Sequence, residues 1–227
     1  MIVTVCGGKG GVGKSTVALN LAYELDAVLV DADVGMADLP TDHGPTLHDV
    51  LGGHVDPIDA VRDDWAVGLL PSGRSLAGAR SIDLRRFETT LETLSGTYRW
   101  VVVDTPAGFD AAAALPIATA AACVLVTTPD PAPLADAVRT RSLAREFDTG
   151  LAAVVLNRAA EKRDDVTAAL GGPQVPVPPS RPLHDAQRHG LPIALAGGDE
   201  DVRAAFRALR GQLTRIERDT RLGGSQA

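Results

Sequence analysis

Lysine is nearly missing from this chain. Its 22 basic residues comprise 19 arginines and three lysines, while its 29 acids divide into 22 Asp and 7 Glu. Cysteines number two, and aromatic residues make up 4% of the 227 positions. Two cysteines exclude a disulfide scaffold; Cys6 and Cys123 both fall in predicted buried strands, where a thiol packs as a small hydrophobe in a reducing cytosol. No clean membrane span is present. Residues 111–129 form an uncharged stretch of 19, long enough to be considered, but Ala and Thr dominate it and Pro116 interrupts it. It divides into an Ala-rich helix and a strand at Cys123–Thr127. The opening Met-Ile-Val-Thr-Val reads as a strand without the basic region or cleavage site of an export signal. What remains is 45% hydrophobic with a formal charge of −7, which excludes disorder and disfavours polyanionic partners. An Asp-rich, Lys-poor surface suits a salt-loaded cytoplasm; GC-rich coding produces much of the same bias.

Apolar runs of strand length lie at Ile2–Cys6, Ala27–Val30, Val67–Leu70, Trp100–Val103, Cys123–Thr127, Leu151–Leu156 and Gln174–Val177. They are continuous rather than alternating, the pattern of strands covered on both faces in a parallel sheet. Helical patterns separate most of them, at Ser15–Leu25, Ile82–Leu94, Ala132–Phe147 and Lys162–Leu170. The alternation predicts an α/β fold with a doubly wound, mainly parallel sheet of about seven strands and helices on both faces. The five prolines of Gly171–Pro182 make a connection, since too little chain follows to form a second core. One domain over 1–222 with a short flexible tail at 223–227 is the economical organisation.

In such sheets ligands bind beyond the carboxyl ends of the strands. Those ends are loaded with chemistry. Gly8-Lys9-Gly10-Gly11-Val12-Gly13-Lys14-Ser15 fits G-x-x-x-x-G-K-[ST] between a strand and a helix. Its glycines let successive N–H groups converge on an anion at a helix N-terminus. Lys14 would meet the β- and γ-phosphates, and Ser15 would ligate Mg²⁺. Asp31, Asp33, Asp104 and Asn157 follow later strands.

The second lysine, in Lys9-Gly-Gly-Val-Gly-Lys14-Ser-Thr16, resembles the deviant phosphate loop of the MinD/ParA ATPases. In that family the extra lysine reaches across a dimer interface to the partner's phosphates. Val28–Leu39 is similar to the family's second-strand motif and Trp100–Gly108 to its Walker B and second switch. The resemblance implies a P-loop NTPase with ATP and Mg²⁺ as ligands. It makes Lys9, Lys14 and Asp33 catalytic, Asp33 by orienting the attacking water. Asp31 and Asp104 would join Ser15 at the metal, and the Gly108 amide would sense the γ-phosphate. Gly8, Gly10, Gly11, Val12, Gly13 and Thr16 would complete the phosphate site, and Asn157, Pro178 and Pro179 would hold adenine. Thr46–Gly53 and Leu69–Leu76 are similar to the MinD branch, archaeal forms especially. The resemblance fades after residue 195.

By this likeness the protein is a slow ATPase whose ATP-bound homodimer positions cellular machinery, working with a protein activator or cargo. Its location would be cytoplasmic, peripheral at most to the inner face of the membrane. The alternative is a DNA-partition ATPase, disfavoured by the acidic charge. Cluster carriers on this scaffold use a C-x-x-C or a cysteine at the second switch, and neither is present. His43, His48 and His54 match no metal spacing and read as a solvated loop. Between Val202 and Leu222 an apolar face is backed by Arg203, Arg207, Arg210, Arg215, Arg218 and Arg221, a basic amphipathic helix best explained as docked on the domain. Glu217 and Asp219 dilute its charge. The tail Leu222-Gly-Gly-Ser-Gln-Ala lacks the bulky residues of a membrane-targeting end.

Overall fold

The computed structural model describes residues 1–33, 43–73, 85–108 and 111–223. In chain order the elements are β1 Ile2–Cys6, α1 Lys14–Leu25, β2 Val28–Asp31, α2 Leu47–Leu51, β3 Gly68–Leu70, α3 Arg85–Thr97, β4 Val101–Asp104, α4 Ala111–Thr119, β5 Ala122–Thr127, α5 Pro131–Glu146, β6 Gly150–Asn157, α6 Asp164–Leu170, β7 Gln174–Val177, α7 Arg181–Arg188, α8 Ile193–Ala196 and α9 Glu200–Gly223. Of the sequence expectations, 34–39 of the second-strand motif, 74–76 of the Leu69–Leu76 motif, the first turn of Ile82–Leu94 and tail residues 224–227 lie outside the described residues.

All seven strands are parallel, in the order β3-β2-β4-β1-β5-β6-β7. The chain winds outward from β1 in one direction and, after β4, in the other. β1 therefore sits centrally, and the loop that follows it opens into the crevice where the winding reverses. Pro176 is tolerated because β7 is an edge strand, where a missing N–H leaves no ladder bond unmade.

Continuous hydrophobicity reflects burial on both sheet faces. Val102, Val124 and Val155 pack under α1 and α9, with Val17, Leu21, Phe206 and Leu209. Val101 and Val103 face Phe87, Leu91 and Leu94 of α3. Cys6 and Cys123 are free thiols in a third cluster with Leu125 and Leu156.

The structure moves three predicted strand ends by one residue, the third at Asn157, which is the last residue of β6. Asp31 and Asp104 are the last residues of their strands rather than loop residues after them, and they are register partners on β2 and β4. Hydropathy drops at a carboxylate, but the backbone ladder runs on. His48 departs from the solvated-loop reading: it is buried. Its helix is docked on the exit of β3 by Leu47 N–H donating to Pro71 O (2.7 Å) and His48 N–H to Ser72 O (3.3 Å). The two MinD-like segments thus pack against each other.

The basic helix is also less basic than its sequence. Arg203 and Arg207 pair with Glu200, Arg210 with Glu24, and Arg221 with Glu217. Glu217 is buried and anchors α9: Arg99 Nε and an Arg99 terminal nitrogen donate to its two oxygens at 3.2 and 2.9 Å. Arg99, then its own burial opposing, leaves the Glu217 carboxyl below the usual glutamate range. A folded pKa below the unfolded one makes the contribution complete above the unfolded value and lost as pH falls through the folded one. Glu217→Gln should cost about 1–3 kcal/mol at neutral pH, held down by the exposed guanidiniums. In urea melts the deficit should shrink as pH falls below the ordinary glutamate range and on through the lower folded value, where the parent carboxylate is itself protonating. A deficit independent of pH would remove the ion pair as its cause.

Candidate functional site

The loop from Gly7 to Gly13 is shaped by two demands on its backbone. At Gly7 a Cβ would lie 2.5 Å from Val126 O, so only glycine lets the chain leave β1 this close to β5. At Gly11 and Gly13 φ is +78° and +101°, in the left-handed region that a side chain disfavours. Gly13 is the N-cap of α1 and supplies no side-chain cap. The first-turn N–H groups of this 12-residue helix are therefore left to an anion. Val12 contributes backbone only, its side chain being buried in the core.

The two loop lysines occupy opposite environments. Lys14 is 8% exposed, and its side chain has no ion-pair partner among the described residues. Lys9 is exposed, as are Gly10 and Gly11. Ser15 and Thr16 follow in the first turn of α1.

Beside this loop stand the carboxylates. Thr105 ties the end of β4 to β1, its N–H and hydroxyl both donating to Val5 O at 3.2 and 3.1 Å. A Cβ on Gly10 would be 4.0 Å from the Ala107 Cβ, so the loop after β4, which carries Gly108 at φ +112°, runs against the phosphate loop. Asp31 is fully buried; its Oδ1 accepts from the Asp33 N–H at 3.1 Å, and its Oδ2 has no partner of hydrogen-bonding geometry. Burial, and then the neighbouring Asp104 charge, push its carboxyl well above the usual range, against the pull of the Asp33 amide and Ser72 hydroxyl. A pair of buried carboxylates, one with an unsatisfied oxygen, is a donor set that fits an oxygen-preferring divalent cation.

On the other side a cavity of about 370 Å³ opens. Of the sequence-nominated residues, Gly11, Gly13, Lys14, Ser15, Thr16, Asn157, Pro178 and Pro179 line it. Gly8, Lys9, Gly10, Asp31, Asp33, Asp104 and Gly108 do not; they belong to the loop's outer and carboxylate sides. Arg158, Ser180, Leu183, His184 and Gln187 also line the cavity and were not nominated. The last four sit on or just before α7, a helix of eight residues whose strong amphipathicity was the available signal. The arrangement can hold a polyanion on backbone amides with a recess of mixed polar and apolar lining beside it, a volume suited to a nucleoside. Among the described residues no cluster of three or more His, Cys, Asp or Glu forms a metal site, and no helix is long and apolar enough to cross a membrane.

Comparison with known proteins agrees with this geometry. Residues 3–169 match the CobQ/CobB/MinD/ParA nucleotide binding domain. An uncharacterised ATP-binding protein of Methanocaldococcus jannaschii is 32% identical over 188 residues, 76% of this chain and 72% of that one. The septum site-determining protein MinD of Thermotoga maritima is 27% identical over 247 aligned positions, covering 96% and 91%. The Pyrococcus horikoshii MinD structure, complexed with Mg-ADP, superposes with a TM-score of 0.87 at 24% identity, covering 95% of this chain and 96% of that one.

Proposed function

The chain belongs to the CobQ/CobB/MinD/ParA nucleotide-binding family, and from that membership we propose that it is a MinD-like ATPase. It binds ATP with Mg²⁺, hydrolyses it slowly, and uses the ATP-bound homodimer as a switch that positions cellular machinery. The observation that carries this reading is the contrast within one loop between a buried Lys14 and an exposed Lys9. A lysine serving its own phosphate site belongs in the recess; a second one facing outward is placed to serve another chain.

In this mechanism the amides from Gly10 to Ser15 and the Lys14 ammonium receive the phosphates, while Asn157, Pro178 and Pro179 wall the adenine recess. Ser15, Asp31 and Asp104 would hold Mg²⁺, which when bound neutralises charge at the transferring phosphoryl group. Asp33, held beside the pair by the hydrogen bond its N–H donates to Asp31 Oδ1, orients water. Phosphoryl transfer needs positioning and charge neutralisation more than a strong base. With no evident efficient base, turnover is slow and ATP acts as a timer. The Gly108 amide, on a loop touching the phosphate loop, reports the γ-phosphate to the dimer face.

Light scattering with and without ATP, alongside steady-state phosphate release, tests the reading. The parent should dimerise with ATP. Lys9→Ala should stay monomeric and turn over at least about 100-fold more slowly, as for other cations supplied in trans. A Lys9→Ala protein that dimerises and hydrolyses like the parent sinks the trans-lysine role. Asp33→Ala, the control for turnover, should bind ATP yet release little phosphate.

A DNA-partition role is disfavoured by the ion pairs that engage four of the six α9 arginines. Gel shifts and liposome sedimentation, each with ATP, separate DNA from membrane as the surface on which the dimer acts. The proposed location is the cytoplasm, with peripheral contact at the inner membrane face.

A further inference from the structure

Asn157 and Arg158 are consecutive, yet they grip two consecutive carbonyls of a loop 145 residues away. Asn157 Nδ2 donates to Val12 O at 2.8 Å, and an Arg158 guanidinium nitrogen donates to Gly11 O at 2.9 Å. Asn157 Oδ1 in turn accepts the Arg158 N–H at 3.0 Å, closing the pair on itself. Arg158 takes a left-handed backbone, φ +60°, which a non-glycine residue adopts at a cost. The contact with the loop is tight: a Cβ on Gly13 would lie 2.3 Å from Asn157 Nδ2.

These contacts have a directional consequence. In a trans peptide unit the C=O and the following N–H point opposite ways. Holding Gly11 O toward β6 turns the Val12 N–H away from it, and holding Val12 O does the same for the Gly13 N–H. A free glycine-rich loop would sample other peptide orientations, because glycine loses more freedom on ordering than any other residue. Two donors on one strand end remove that freedom at two adjacent peptide planes. Preorganised amides bind an anion without spending affinity on ordering the loop.

We propose that Asn157 and Arg158 are positioning residues for the phosphate loop, presenting the Val12 and Gly13 amides as a pair to the phosphates. This assignment rests on the reading of the loop as a nucleotide site. It gives Asn157 a role beyond the adenine wall and Arg158 a role where none was assigned. The two residues act on phosphate affinity through the loop backbone, so their removal weakens any ligand bearing a diphosphate, whatever its base.

Calorimetric titration of the full chain with Mg-ADP, Mg-pyrophosphate and adenosine tests this, for the parent, Asn157→Ala, Arg158→Ala and Arg158→Lys. Each alanine variant should lose about tenfold in affinity for pyrophosphate, one hydrogen bond's worth. Arg158→Ala should lose the same factor for ADP with adenosine unchanged, whereas Asn157→Ala, which also removes part of the adenine wall, should lose more for ADP than for pyrophosphate. Arg158→Lys, still able to donate to Gly11 O, should recover most of the loss. Backbone ¹⁵N order parameters at Val12 and Gly13 of the ligand-free alanine variants should fall while those of the sheet amides stay high. Weakened ADP and adenosine with unchanged pyrophosphate would make both residues base contacts and overturn the proposal, as would unchanged affinities throughout or unchanged loop order parameters. A parent that binds neither ADP nor pyrophosphate overturns the nucleotide-site reading instead, and the order parameters then decide the clamp alone.

Discussion

Gly13→Ala should lose at least about 100-fold in ADP affinity, equivalent to about 2.7 kcal/mol, while keeping its fold. Two penalties meet at this residue. Its φ of +101° costs an L-residue about 1–2 kcal/mol. Its new methyl would also sit 2.3 Å from Asn157 Nδ2, and Asn157 cannot withdraw without releasing Val12 O. The helix N-terminus and the loop carbonyl would shift together, and with them the amides that face the phosphates. Gly11→Ala is the informative contrast. Its φ is also positive, but a Cβ there meets nothing within 4 Å, so it should lose only about tenfold from backbone strain alone. Titration with a fluorescent ADP analogue, with circular dichroism to establish the fold, measures both. Equal losses at the two glycines would mean that the clash with Asn157 contributes nothing.

Lys14→Met should change function and stability in opposite directions. A largely buried lysine with no ion-pair partner among the described residues destabilises the protein that contains it, and an apolar side chain of similar length relieves that cost. The nucleotide-free melting temperature should therefore rise, by about 2–4 °C for each kcal/mol gained. The same substitution removes the charge that meets the phosphates and should slow turnover by at least about 100-fold. Mg-ADP at about 100 times its Kd should stabilise the parent by about 2.7 kcal/mol and the variant by almost nothing. Thermal melts with and without Mg-ADP and a phosphate-release assay read all three. A variant that melts lower than the parent would show that Lys14 is a structural cation rather than one held for a ligand.

Much of this site was readable from the chain because the relevant preferences are local. Glycines at positions of positive φ, followed by Lys14-Ser15 at a strand-to-helix junction, encode the loop within eight residues. Runs of Val, Leu and Ile located all seven strands, since burial on both faces leaves no other composition stable there. The errors fall where local preference was outweighed by packing. Asp31 and Asp104 read as loop residues because carboxylates interrupt hydropathy, but the parallel ladder pairs them inside the sheet. His48 read as solvated until the five-residue α2, too short for periodicity to show, docked on the exit of β3. Glu217 read as a surface charge, but it is a buried anchor whose partner, Arg99, lies 118 residues away.

The sequence by itself determined the sheet's class, the phosphate loop with its two lysines, and the family to which these belong. Each follows from residues close enough in the chain to constrain one another's backbone. Only the tertiary structure decided that one lysine is buried and the other exposed, that two carboxylates share a register, and that the end of β6 holds the loop's carbonyls. Those depend on which strand lies beside which, and strand order arises from long-range burial that no window of sequence contains. The scarcity of lysine marked the loop; the fold around it separates the two roles its lysines can play.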